Sequence, residues 1–205
     1  MKASASLSLL AGTTLVLTAL TGCLNLKPAS DPTRFYVLTA RCAAPTNATT
    51  AATSEAPLLM LGWVGVADYL QRPEQAWRMA PNHVAYSHVD QWAEPLGDAL
   101  ARVLKEDLLR LLGPERFFTG LNPGERKTHE IQIDILRFDL KPTGEAQIEA
   151  HCRIVERRTH QLLKQQALAA TQPFDPQNKD HTAAAVALSE ALADLARQVA
   201  AMAQP

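Results

Sequence analysis

The spacing of apolar residues along the chain predicts two long helices. Across residues 92–112, apolar side chains recur every three or four positions, which places them on one face of an α-helix. A Gly-Pro pair at 113–114 ends this helix, because glycine adopts the left-handed cap conformation and proline cannot extend the hydrogen-bond ladder. The same spacing returns across residues 182–202 and predicts a second helix. Leu104 and Leu192 are expected on the buried faces of the two helices.

Segments with a period of two predict the strands. In residues 146–154 every second residue is apolar and those between are polar, as in a strand with one buried face. In residues 130–140 the alternation changes phase near Ile135, which indicates either a β-bulge or a strand covered on both faces. Further strands are predicted at residues 34–40, 58–66, 77–80, 84–87 and 162–171.

The order of these elements predicts an α+β fold. Two strands and a hairpin precede the first helix, and three strands precede the second. Both helices are therefore expected to pack on an antiparallel or mixed sheet in a two-layer domain. We expect this single domain to span residues 34–205. The Ala- and Thr-rich stretch 43–57 is low in complexity and is predicted to form a flexible loop within the domain.

An uncharged apolar stretch near the N-terminus predicts a lipoprotein signal. Residues 7–20 have the length of a signal-peptide core and are too few to span a membrane. The stretch ends at Leu20-Thr21-Gly22-Cys23, which resembles the bacterial lipobox. We therefore predict a signal peptide at residues 1–22, acylation of Cys23 by chains such as palmitate, and a tether at residues 23–33. The alternative is an ordinary secretory signal with an incidental cysteine.

Charge and motif content argue against several classes of function. The 20 Lys and Arg residues are balanced by 21 Asp and Glu residues, so the chain has no basic excess for nucleic acid. The sequence contains no H-E-x-x-H, C-x-x-C, glycine-rich phosphate loop or G-x-S-x-G motif. We therefore predict no catalytic residues, no metal site and no cofactor.

Two cysteines remain besides Cys23. An exported protein folds in an oxidising compartment, where Cys42 and Cys152 could form a disulfide. The alternative is two unpaired thiols, with Cys152 as a small core residue of its strand. The sequence leaves both open, because it does not fix the distance between the two Cα atoms.

Several short motifs follow one another in an order that resembles a known family. After the lipobox come an Arg-Phe-Tyr-x-Leu strand, an apolar strand followed by Asp-Tyr-Leu, a Trp-Ala-x-Pro-Leu helix start, a strand containing Arg-Phe and an amphipathic helix. These motifs stand at residues 34–38, 68–70, 92–96 and 137–138, and the helix closes the chain. The order is similar to that of the PqiC-like family of ABC-type transport auxiliary lipoproteins, over essentially the whole mature chain. The Ala- and Thr-rich loop departs from the family pattern.

The resemblance implies a function and a location. It implies a non-enzymatic accessory component of an intermembrane lipid transport system, with an MCE-domain protein as partner. The residue after the acylated cysteine is Leu24 and not the Asp typical of inner-membrane retention, so the resemblance implies the periplasmic face of the outer membrane. A lipoprotein of outer-membrane assembly and a lipid-anchored periplasmic hydrolase remain the alternatives.

Four residues are candidates for contact with a partner protein or with another copy of the domain. They are Asp68, Tyr69 and Leu70 after the second strand, and Trp92 at the predicted helix start. Aromatic side chains are enriched at interface hot spots. Trp92 lies in register with the apolar helical face, which favours packing against the sheet instead. Tyr69 is equally compatible with a contact and with closing the end of the strand.

Overall fold

The computed structural model describes residues 30–43, 56–120, 123–178 and 182–204. The predicted signal peptide, the acylation site Cys23, most of the tether and most of the 43–57 loop lie outside these residues. The elements in chain order are β1 Arg34–Tyr36, β2 Leu58–Val66, a 3-10 turn Asp68–Leu70, β3 Glu74–Ala80, β4 His83–Trp92, α1 Leu96–Leu112, β5 Thr128–Lys141, β6 Glu145–Glu156, β7 Leu162–Pro173 and α2 Thr182–Met202.

The strands form one mixed, open sheet. Strands β5, β6 and β7 are a continuous antiparallel meander, and β4 joins the sheet between β1 and β3. Strands β2 and β3 both run parallel to β5 and pair with the edge of β5 opposite to β6. Strand β2 pairs with its first half, up to Ile135, and Trp77 of β3 bridges to Leu140. The 3-10 turn Asp68–Leu70 lies where the chain passes from β2 to β3. The predicted α+β fold with two long helices on a mixed sheet is confirmed.

The change of phase in β5 is a bulge. The pairing of β5 with β6 shifts between Ile135 and Arg137, so Leu136 has no partner in the ladder and its side chain is 41% exposed. The extra residue keeps Phe138 and Leu140 on the same buried face as the isoleucines before the bulge. A strand covered on both faces, the other predicted possibility, is not what forms.

Both helices pack on one face of the sheet and enclose the core. Leu104 of α1 and Leu192 of α2 are completely buried, as the helical spacing predicts. The sheet contributes alternate residues to the same core, among them the small and apolar residues of β6. None of the helices in the described parts of the chain is long and apolar enough to cross a membrane.

The helix start differs from the prediction. Strand β4 continues through Trp92, and α1 begins only at Leu96, after Pro95. Trp92 is 5% exposed, and its indole ring lies 5.9 Å from the ring of Phe138. Periodicity cannot detect this boundary, because the last apolar residue of the strand happens to be in register with the apolar face of the helix.

The two remaining cysteines are free and buried. Cys42 lies against both helices: its backbone N–H donates to the carboxylate of Asp107 at 2.8 Å, and its Sγ lies 3.6 Å from the carbonyl oxygen of Ala193. Cys152 lies on β6 in the core. The possible Cys42–Cys152 disulfide is therefore absent, because the two thiols occupy separate packed positions. Burial raises the pKa of each thiol to about 11.

Candidate partner surface

The sheet has a second face that the two helices do not cover, which we call the open face. Its central part consists of the residues of β5 and β6 that alternate with the buried ones: Glu130, Gln132, Asp134, Arg137, Gln147, Glu149, His151 and Arg153. These side chains are half-buried or exposed. A strand with one apolar and one polar face is expected to pack on one side only. The open face is therefore the broad surface that the sheet presents to its surroundings.

Two pairs of opposite charges join β5 and β6 on the open face. Arg137 donates to Glu149 at 3.0 Å, and Arg153 lies 3.3 Å from the carboxylate of Asp134. Such partly exposed pairs contribute only about 0–1 kcal/mol each to stability. The pairs leave this surface mixed in charge.

Trp63 lies on the open face, and its position depends on Gly65. The pairing of β2 with β5 shifts between Leu61 and Val64, and this bulge turns Trp63 out of the alternation. The indole ring lies so close to Gly65 that a Cβ there would overlap it. The guanidinium group of Arg153 lies 5.9 Å from the ring centroid, and the side chain of Trp63 remains 43% exposed.

Sequence reasoning did not select Trp63. The signal that could have found it is the Gly-Trp-Val-Gly segment inside a strand, since glycine in a strand often marks a bulge or a close approach. The sequence does not show that the indole ring lies on the open face near Arg153 of β6, because this position depends on the β2–β5 register.

Tyr69 is part of a hydrogen-bonded network at the junction of β2 and β3. Its hydroxyl donates to the carbonyl oxygen of Leu136 at 3.1 Å and accepts from the guanidinium of Arg78 at 2.9 Å. Arg78 in turn forms a 2.7 Å ion pair with the fully buried Asp139. Burial and the Asp139 carboxylate raise the pKa of Tyr69. The network attaches the 3-10 turn to β5, so Tyr69 has a structural role whatever else it contacts.

The four residues predicted as partner contacts have different environments. Asp68 is exposed and accepts a hydrogen bond from the side chain of Gln71 at 3.1 Å, and Tyr69 is half-buried. Leu70 and Trp92 are buried in the core, so neither is available to a partner in this structure. For Trp92 the packing interpretation is the one that the structure supports.

In the described parts of the chain, no group of three or more His, Cys, Asp or Glu side chains is placed to hold a metal ion. The ion pairs of the open face and the Tyr69 network join secondary-structure elements to one another. The open face is the candidate surface for a partner protein.

The family is decided by a match over most of the folded chain. A family model described as "ABC-type transport auxiliary lipoprotein component" matches residues 36–200. The chain belongs to this family. An ABC-type transport auxiliary lipoprotein is a membrane-anchored periplasmic protein, which agrees with the lipobox at Cys23.

Two crystal structures resemble this auxiliary lipoprotein in fold. A DUF330-family protein from Xanthomonas campestris is 17% identical with a TM-score of 0.63, and the match covers 81% of this chain and 92% of that one. An uncharacterized protein is 16% identical with a TM-score of 0.63, and the match covers 82% of this chain and 97% of that one. No curated protein matches the sequence. At these identities the two structures establish the fold alone.

Proposed function

We propose that this auxiliary lipoprotein is a non-enzymatic component of an intermembrane lipid transport system that contains an MCE-domain protein. Its acylated Cys23 anchors it to the periplasmic face of the outer membrane. Membership in the family of ABC-type transport auxiliary lipoproteins supports the transport role. The lipobox, with Leu24 after the cysteine, supports the anchor and its location.

The open face is the surface that binds the partner protein in this proposal. The observation that carries it is Trp63, a large aromatic side chain 43% exposed and held in place by the bulge in β2. Tryptophan is among the residues most enriched at interface hot spots. Leu136 adds an exposed apolar side chain on the bulge of the neighbouring strand β5. Truncating a hot-spot residue costs about 2 kcal/mol or more of binding free energy.

The lipid anchor lowers the affinity that such a surface needs. A domain tethered to a membrane meets any partner that reaches this membrane at a high effective concentration. A single aromatic anchor surrounded by paired charges is then sufficient for a specific complex. Removal of the anchor should weaken the complex in cells and leave the contact surface itself intact.

The first experiment tests the anchor. In cells that express the chain with Cys23→Ala, we expect no acylation and loss of the protein from the outer-membrane fraction, because no other part of the chain is predicted to hold it there. Membrane fractionation in high salt is the measurement. Continued sedimentation of the variant with the outer membrane would contradict the anchor.

The second experiment tests the contact surface and the partner together. An MCE-domain protein from the same organism is co-purified with wild type, with Trp63→Ala and with Phe35→Ala. Phe35 is a matched control, because it is an aromatic side chain, 65% exposed, on the distant edge strand β1. We expect Trp63→Ala to reduce the recovered partner by about tenfold or more, and Phe35→Ala to leave it unchanged.

A different result would contradict each part of the proposal. Loss of the partner only with Phe35→Ala would move the contact to the β1 edge. No recovery of an MCE-domain protein with the wild type would contradict the transport partner. Turnover of a lipid or peptide substrate by the pure protein would contradict the non-enzymatic role.

A further inference from the structure

A pocket opens on the helix side of the sheet, at the end where α2 stops. The ammonium group of Lys164 on β7 donates to the carbonyl oxygens of Met202 and Gln204, so α2 ends at the level of Lys164. Strands β5 and β6 continue past this level to the His129–Glu156 pair. The uncovered end of the sheet, the end of α2 and the residues before β2 enclose a space of about 380 Å³. Pockets for small organic ligands have volumes of about 300–1,000 Å³.

The interior of this pocket is apolar. Leu59 of β2 and Ile154 of β6 form its buried part. Leu163 of β7 and Met202 of α2 form part of its wall nearer to solvent, and Leu163 is 40% exposed. A wall of aliphatic and thioether groups favours a hydrocarbon chain over a polar ligand, because such a chain leaves water on entering the pocket.

The polar groups around this apolar interior carry positive charge. Arg116, Lys127 and Lys164 line the pocket together with His129, and none of its lining residues is acidic. The Nε of Arg116 and the Nε2 of His129 are buried and have no hydrogen-bond partner. Buried polar groups without a partner are rare and costly, so these two nitrogens indicate a missing acceptor. Burial and the charge of Lys127 lower the pKa of His129, and the carboxylate of Glu156 opposes this shift.

We infer that this pocket binds an anionic amphiphile, with its acyl chain against Leu59, Ile154, Leu163 and Met202 and its carboxylate or phosphate head against Arg116, Lys127 and His129. Both halves of the ligand are required by the residues present. An inorganic anion would leave the apolar wall in contact with water, and an uncharged hydrocarbon would leave the Nε of Arg116 and the Nε2 of His129 without a hydrogen-bond partner. The inference stands apart from the MCE partner and from Trp63, because the pocket lies on the opposite side of the sheet.

Photoaffinity labelling can test the pocket in the acylated protein. The lipoprotein is placed in phosphatidylcholine nanodiscs and irradiated with one of three diazirine probes: palmitic acid, lysophosphatidic acid or palmityl alcohol. Labelled peptides are then identified by mass spectrometry. All three probes partition into the bilayer, but only the first two carry an anion. We expect the anionic probes to label peptides that contain Leu163 or Met202 at least fivefold more than the alcohol does.

Two lysines provide matched variants. Lys127→Glu places a negative charge at the pocket, whereas Lys105→Glu makes the same change at an exposed residue of α1 that does not line it. We expect Lys127→Glu to reduce labelling by the anionic probes at least fivefold and Lys105→Glu to leave it unchanged. Thermal unfolding of both variants shows whether each remains folded.

The outcomes distinguish a fatty acid from a phosphate lipid as the ligand, and they distinguish both from failure of the inference. Charge-dependent labelling by palmitic acid alone identifies a free fatty acid, and labelling by lysophosphatidic acid alone identifies a phosphate headgroup; either supports the site. Equal labelling by the alcohol, equal effects of the two charge reversals in folded protein, or no labelling of these peptides would overturn it. None of these results depends on whether an MCE-domain protein binds the open face.

Discussion

The two faces of the sheet are made from alternate residues of the same strands, and different forces organise them. On the helix side of β6, residues such as Ile148 and Cys152 are buried under α2. On the open face of the same strand, Glu149 and Arg153 form ion pairs with residues of β5. Burial of apolar groups is visible in a sequence as a period. Cross-strand pairing is not, because it depends on the register between strands.

The two tryptophans Trp92 and Trp63 illustrate the same difference. Trp92 ends β4 and packs on Phe138 in the core, whereas Trp63 lies across Gly65 on the open face. A core tryptophan contributes to stability through the contacts that it makes within the fold. An exposed tryptophan held by a bulge contributes little to folding and is available to a partner. Residue type alone therefore does not indicate the role of a tryptophan. The face of the sheet on which the tryptophan lies does.

The largest expected effect comes from truncating the two tryptophans in turn. We expect Trp92→Ala to lower the free energy of unfolding by about 3–5 kcal/mol, because it leaves a cavity in the core. Trp63→Ala should cost about 1 kcal/mol or less, as for a largely exposed side chain. Urea unfolding followed by circular dichroism is the measurement. Similar losses for the two variants would remove the distinction between the faces.

A smaller effect is expected at the junction of β2 and β3. Tyr69→Phe removes the hydroxyl that donates to Leu136 and accepts from Arg78, while the ring remains. We expect a loss of about 0.5–1.5 kcal/mol in the free energy of unfolding, the usual net value of a hydrogen bond. Recovery of the partner should stay at the wild-type level. A normal stability together with a weakened complex would instead make the Tyr69 hydroxyl a contact group.

The smallest effect concerns Asp107, a charged residue on the helix side. It is fully buried and accepts the backbone N–H of Cys42, while its Oδ2 has no partner. Burial raises its pKa above the ordinary value, so the folded state holds this proton more tightly than the unfolded state does. The contribution of Asp107 to stability is therefore largest when Asp107 is protonated, and it falls as the pH rises through this raised pKa.

Asp107→Asn tests the direction of this dependence of stability on pH. Asparagine keeps the acceptor for Cys42 but cannot ionise, so the stability of the variant relative to wild type should increase as the pH rises from acid towards neutral. Unfolding free energies measured at several pH values give the difference. A constant difference across this range, or one that decreases, would show that burial of Asp107 does not raise its pKa.

The sequence predicts the covered side of the molecule better than the open side. Leu104 and Leu192 are buried as their spacing predicts, and the phase change near Ile135 is a bulge. The prediction that the first helix starts at Trp92 was wrong, because the end of β4 and the start of α1 share one register of apolar residues. The ion pair of Arg78 with Asp139 joins residues on β3 and β5, and no local pattern connects them.

The candidate surfaces depend on contacts distant in sequence. Asp68, Tyr69 and Leu70 were selected because they form a motif, yet the fold buries Leu70 and places Tyr69 in a network. Trp63 becomes a candidate only when β2 is placed beside β5 and the indole is seen to lie on the open face. The pocket near Met202 likewise requires the end of α2 and the positions of four strands to be known together.

The most direct test of the open face as the partner surface is site-specific cross-linking in intact cells. The photoreactive residue p-benzoylphenylalanine is placed at His151, which is exposed on the open face, and in a second strain at Val186, which is exposed on α2. Cross-linked MCE-domain protein is then quantified on immunoblots. We expect at least fivefold more cross-linked partner from position 151 than from position 186. Equal cross-linking from both positions, or more from position 186, would contradict the assignment of partner binding to the open face.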